Sequence, residues 1–89
     1  MEKHKARLLE ESWWGWRYLW ILNEDGEPEA HEAYKMKGYG ISWTVNPVHV
    51  VPLPKALEEL LWMAENQIFF TEDELQEYND RRKNEREKS

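Results

Sequence analysis

At 89 residues with no cysteine, the chain has room for one modest core, and neither a disulfide framework nor a thiolate metal site can hold it together. The formal net charge of −6 argues against binding a phosphate backbone with the body of the domain and favours partners with basic surfaces. That charge is unevenly placed: Glu24, Asp25, Glu27, Glu29 and Glu32 form one acidic tract, and Glu58, Glu59, Glu65, Glu72, Asp73, Glu74, Glu77 and Asp80 mark a second, while Arg81, Arg82, Lys83, Arg86 and Lys88 crowd the end.

Residues 2–12 combine helix-forming and charged residues with a narrow apolar edge of Ala6, Leu8 and Leu9, which predicts a short amphipathic helix lying as a lid on the core. The basic start followed by an apolar run is not expected to act as a secretory leader, because the run carries Arg17 and no small-residue cleavage site follows it. At ten residues it is also too short to span a membrane.

From Trp13 to Leu22 the pattern changes to period two, with Trp14, Trp16, Tyr18, Trp20 and Leu22 on one face and Trp13, Gly15, Arg17, Leu19 and Ile21 on the other. This predicts a strand placed centrally in a sheet, covered on both sides only in its second half. Asn23-Glu-Asp-Gly26 is a turn signal in which Asn23 starts a type I turn and Gly26 takes the left-handed conformation. The acids there do not form a calcium loop, since the first ligand position would fall on Ile21. Residues 28–37 admit two readings: alternating Ala30, Glu32, Tyr34 and Met36 suit a returning strand, whereas Pro28 early, Lys35 and Lys37 late and Gly38 beyond suit a short helix. The strand reading is adopted because the aromatic strand needs a partner.

Ile41, Trp43 and Val45 begin a third strand within 40–51, interrupted at Asn46-Pro47. Pro54 opens a helix over 54–65, whose Leu57, Leu60, Leu61 and Ala64 stripe is expected to pack on the sheet. Thr71-Glu-Asp-Glu74 is a capping box with Phe70 and Leu75 as its staple, and it predicts a helix over 72–84. The expected fold is therefore α+β: three antiparallel strands (13–22, 29–37, 40–51), an N-terminal helix and two C-terminal helices, mainly on one face. Residues 1–80 form one domain, and the basic tail 81–89 is expected to fray.

Two stretches resemble known families in part. Gly15-Trp16, the Asp25-Gly26 turn and Trp43 followed by Pro47 resemble the WW domain, which would imply a three-stranded sheet gripping proline-rich peptides. The spacing from Trp16 to Trp43 is longer than in that family. Lys35-Met-Lys-Gly-Tyr-Gly40 followed by Trp43 and a later helix is similar to the chromodomain, which would imply an aromatic cage for methyl-lysine; Met36 stands where that family has tryptophan. Neither assigns a residue here.

No catalytic arrangement emerges. His31 and His49 have no partner at metal-binding spacing, Ser12 and Ser42 lie in no nucleophile context, and no glycine loop cradles phosphate. The expectation is a small cytoplasmic protein-interaction module, an adaptor or inhibitor, with no cofactor or metal and no membrane segment. It would dock on a basic protein surface through Trp13, Trp14, Trp16, Arg17 and Tyr39, flanked by Glu24, Asp25, Glu27 and Glu29; mimicry of nucleic-acid charge is one version of this reading. The rivals are an aromatic pocket for a peptide or small ligand and a structural homodimer.

Overall fold

The computed structural model describes residues 3–11, 15–35, 40–51 and 53–88, without the side chains of 85–88. The elements run α1 (Lys3–Glu10), β1 (Gly15–Leu22), β2 (Pro28–Lys35), β3 (Ile41–Trp43), α2 (Pro54–Glu65) and α3 (Glu72–Lys88). The strands form one antiparallel sheet in the order β1-β2-β3, so the architecture is α+β as the sequence implies.

Local chemistry fixes the hairpin. The Asn23 carbonyl accepts from Gly26 N at 2.9 Å, and its side-chain oxygen accepts from Asp25 N and Glu27 N at 2.9 and 3.0 Å. Gly26 has φ +79°, a conformation that a Cβ would penalise. The returning segment 28–35 is strand rather than helix: only the extended form satisfies both the turn and the ladder of the aromatic strand.

Register divides the sheet into two faces. Leu19 stands opposite His31, Ile21 opposite Glu29 and Arg17 opposite Ala33, which in turn meets Trp43. On this side Leu19, Ile21, Ala33 and Ile41 pack with Leu8 and Leu9 of α1, Met63, Ile68, Phe70, and Leu75 and Tyr78 of α3. The other side carries Trp16 opposite Tyr34, Tyr18 opposite Glu32 and Trp20 opposite Ala30. There a smaller cluster joins Tyr18, Ala30 and Leu60 to Trp20, Val48, Val51 and Ala56. The ring-bearing face is thus the outer one, and the core forms against its neighbour.

Three expectations need correction. β1 is an outer strand, not a central one: β2 holds the middle. The free edge of β1 is met by a short parallel bridge, with Leu22 N donating to Phe70 O at 2.8 Å and Phe70 N to Trp20 O at 2.9 Å, so the segment after α2 supplies partners that a fourth strand would otherwise give. β3 ends at Trp43 rather than running to residue 51; Asn46-Pro47 breaks the ladder, although Thr44 N still reaches Glu32 O (3.0 Å) and Val48 N reaches Ala30 O (2.8 Å). Finally, α2 buries Leu60 and Met63 but leaves Leu57 and Leu61 exposed. Those two buried residues join clusters on opposite sides of the sheet, so α2 straddles β1 and covers only a narrow strip.

The capping box forms as its spacing implies. Glu74 N donates to Thr71 Oγ1 (3.1 Å) and Thr71 N to Glu74 Oε1 (3.0 Å), with Phe70 and Leu75 both fully buried. α3 then runs to Lys88, past the residue 84 expected from the sequence.

Candidate functional site

Of the residues expected to form one docking patch, those the structure describes do not sit together. Trp16 is exposed on the outer sheet face, its ring edge-on to Tyr18 at 5.2 Å, with Tyr34 exposed across from it. The Tyr34 hydroxyl donates to the Glu32 carboxylate, and that bond holds the hydroxyl above its usual pKa range. Arg17 points to the opposite face, where its guanidinium lies 4.0 Å from Met63 Sδ and 3.7 Å from a Glu59 oxygen. It belongs to the α2 packing and drops out of the patch. Trp13, Trp14 and Tyr39 lie outside the described residues.

The acids are distant as well. Glu24, Asp25 and Glu27 occupy the exposed hairpin turn, six strand residues from Trp16 and therefore about 20 Å away. Glu29 is half-buried on the helix-covered face, where it joins Glu24, Glu72, Asp73 and His31 around a shallow cleft of about 330 Å³. His31 is buried, with Nδ1 2.8 Å from Thr44 O, and serves as a strut between β2 and the chain after β3. Among the described residues no group of three or more histidines and carboxylates is placed to hold a metal ion. Nor is any described helix long and apolar enough to cross a membrane.

Sequence reasoning missed a different surface. Leu53 at the N-cap of α2 and Leu57 and Leu61 within it recur at four-residue intervals and are 49%, 44% and 53% exposed. Val50 lies exposed just before them. At 100° per residue, Leu57 comes next around the helix from Leu60 on the side away from Met63, so the row faces out beside the Tyr18 cluster. Glu58 and Glu65 border its solvent side, and both are exposed. The available signal was the width of the apolar stripe: Ala56, Leu57, Leu60, Leu61, Trp62, Met63 and Ala64 span more of the helix circumference than one contact can cover.

On the other side of α2, Trp62 is 52% exposed and walls a cleft shared with α1. α1 is held there from β2 and α3: Lys35 Nζ donates to Leu9 O (2.6 Å) and Glu11 O (2.9 Å), and the Tyr78 hydroxyl donates to Leu9 O (3.5 Å). Burial, and then the Arg82 charge, lower the Lys35 pKa against the opposing pull of Glu10 and Glu11. Lys5 pairs with Glu74 at 3.1 Å. Burial pushes the Glu74 carboxyl up, but the Thr71 and Lys5 contacts outweigh it, so the group lies below its ordinary value.

Set beside known proteins, the chain matches no protein-family model, no curated protein and no solved structure.

Proposed function

We propose that this chain is a non-catalytic interaction module that docks through the exposed Leu53-Leu57-Leu61 row of α2 onto a partner presenting an apolar groove edged by lysine or arginine. The observation that carries this is the row itself: Leu57 and Leu61 one turn apart on α2 with Leu53 at its N-cap, each about half exposed, in a chain whose core is filled by other residues. Covering the remaining half of each side chain is worth about 1 kcal/mol per leucine, enough to matter in a modest interface. Glu58 and Glu65 along the border, within a body of net charge −6, favour basic rather than acidic surroundings on the partner. Trp16 and Tyr34, exposed on the outer sheet face, extend the apolar surface on the side of the sheet where Leu60 packs.

The test is affinity capture from the source cell with the wild-type chain and with Leu57→Ser/Leu61→Ser, followed by reconstitution of any complex across a salt series. The wild type should retain a basic protein that the double variant loses, and the complex should weaken as salt rises. Equal capture by both chains, or a complex indifferent to salt, refutes the reading. Sedimentation of the chain alone is expected to give a monomer; a dimer abolished by Leu57→Glu would assign the row to self-association instead.

A further inference from the structure

Between α1 and the C-terminal end of α2 lies a half-enclosed cleft of about 540 Å³, a size in the range of small-molecule sites. Its apolar lining comes from Leu8 and Ile68, both buried, and from the half-bare indole of Trp62. Arg7 and Glu11 stand on its α1 side, and His4 and Asn66 complete the rim. The cleft is separate from the leucine row, which faces the other way around α2.

Two features give this cleft a chemical preference. Glu11 follows the last residue of α1 and its N still donates to Arg7 O (3.0 Å), so the two side chains leave the same side of the helix end with Cβ atoms about 6 Å from each other. Among the described residues, neither side chain makes a hydrogen bond or an ion pair within 4 Å, and the Glu11 carboxylate feels the Lys35 ammonium only at longer range. The cleft therefore offers one positive and one negative group above an apolar floor. A simple anion would meet Glu11 and the net negative charge of the molecule, and a simple cation would leave Arg7 unanswered. A zwitterion answers both.

The second feature is Gln67. Ile68 N donates to Met63 O (2.8 Å) and Gln67 N to Ala64 O (3.1 Å), the paired bonds of a helix end whose C′ residue is left-handed and usually glycine. Gln67 fills that position with φ +56°, at a cost of about 1 kcal/mol relative to glycine. Gln67 is one of the residues lining the cleft, and its side-chain amide can both donate and accept.

We propose that this cleft binds a small zwitterionic aromatic molecule of the size of an aromatic amino acid. The ring lies against Trp62 over Leu8 and Ile68, the carboxylate meets the Arg7 guanidinium, the ammonium meets the Glu11 carboxylate, and the Gln67 amide bridges the polar end. The site is independent of the docking row, so either can fail alone.

Nuclear magnetic resonance titrations of the full chain would test it with three probes of one ring: L-phenylalanine, 3-phenylpropanoate and phenethylamine. L-phenylalanine should shift the Trp62 indole N–H and the Gln67 side-chain amide saturably, with Kd on the order of 0.1–1 mM. Each singly charged probe should bind at least about fivefold more weakly, in line with loss of one charge-assisted contact. Arg7→Gln should weaken L-phenylalanine and 3-phenylpropanoate by a similar factor while sparing phenethylamine, and Glu11→Gln should do the converse. Absence of saturable shifts at Trp62 up to about 20 mM, far above the expected Kd, would overturn the assignment. So would equal binding of all three probes, or shifts centred on Trp16 instead.

Discussion

Gly40→Ala is expected to loosen the attachment of α3 to the sheet. Asn79 on α3 grips the backbone of Ile41 with both ends of its amide: Oδ1 accepts from Ile41 N at 2.7 Å and Nδ2 donates to Ile41 O at 2.8 Å. A Cβ on Gly40 would overlap Asn79 Oδ1 and lie 2.5 Å from its Cγ, so the amide must swing away and release both bonds. The Gly40 φ lies outside the left-handed region, which leaves the clash as the dominant effect. Two side chain–backbone hydrogen bonds at about 0.5–1.5 kcal/mol each give a loss of about 1–3 kcal/mol. For a domain of this size that is a fall in Tm of roughly 5–15 °C by calorimetry or circular dichroism. Asn79→Ala should lose a similar amount, and the double variant should lose little more than either single one, because both remove the same pair of bonds. An unchanged Tm for Gly40→Ala, or full additivity in the double variant, refutes the reasoning.

Two further outcomes follow from local geometry. Gln67→Gly should raise stability by about 0.5–1 kcal/mol in urea unfolding, since glycine removes the left-handed penalty at the end of α2; a loss would mean that the glutamine side chain itself holds the fold. Glu74→Gln keeps a residue able to complete the capping box but removes the charge paired with Lys5. Because the folded Glu74 carboxyl lies below its ordinary pKa, its contribution is present above the unfolded value and is lost as pH falls through the folded one. The wild type should therefore exceed the variant by under about 1 kcal/mol at neutral pH, a discounted figure for a partly exposed pair. The gap should close on acidification below about pH 4, and a gap that persists there contradicts the assignment.

What could be read from the sequence was what short-range chemistry decides. The Asn23–Gly26 turn and the Thr71–Glu74 box each bond within a few residues, so their residue types announce them. α2 was legible in its limits, Pro54 to Glu65, but not in its orientation. Which of Leu57, Leu60, Leu61 and Met63 turns inward depends on where β1 lies beneath the helix, and no spacing along the helix encodes that. The outer position of β1 was hidden for the same reason: Phe70, its lateral partner, is nearly fifty residues away in the chain. Trp16 appeared as a contact residue and is exposed, whereas Arg17 beside it is turned under α2 by the strict alternation of a strand.

Both margins of the three-stranded sheet are closed by residues that come late in the chain, Phe70 at Trp20–Leu22 and Asn79 at Ile41. During synthesis, a polypeptide that has emerged only as far as α2 would hold β1, β2 and β3 with those backbone stretches still bare, a form open to pairing with other nascent chains. Emergence of the residues after α2 supplies both closures, Phe70 just before α3 and Asn79 within it.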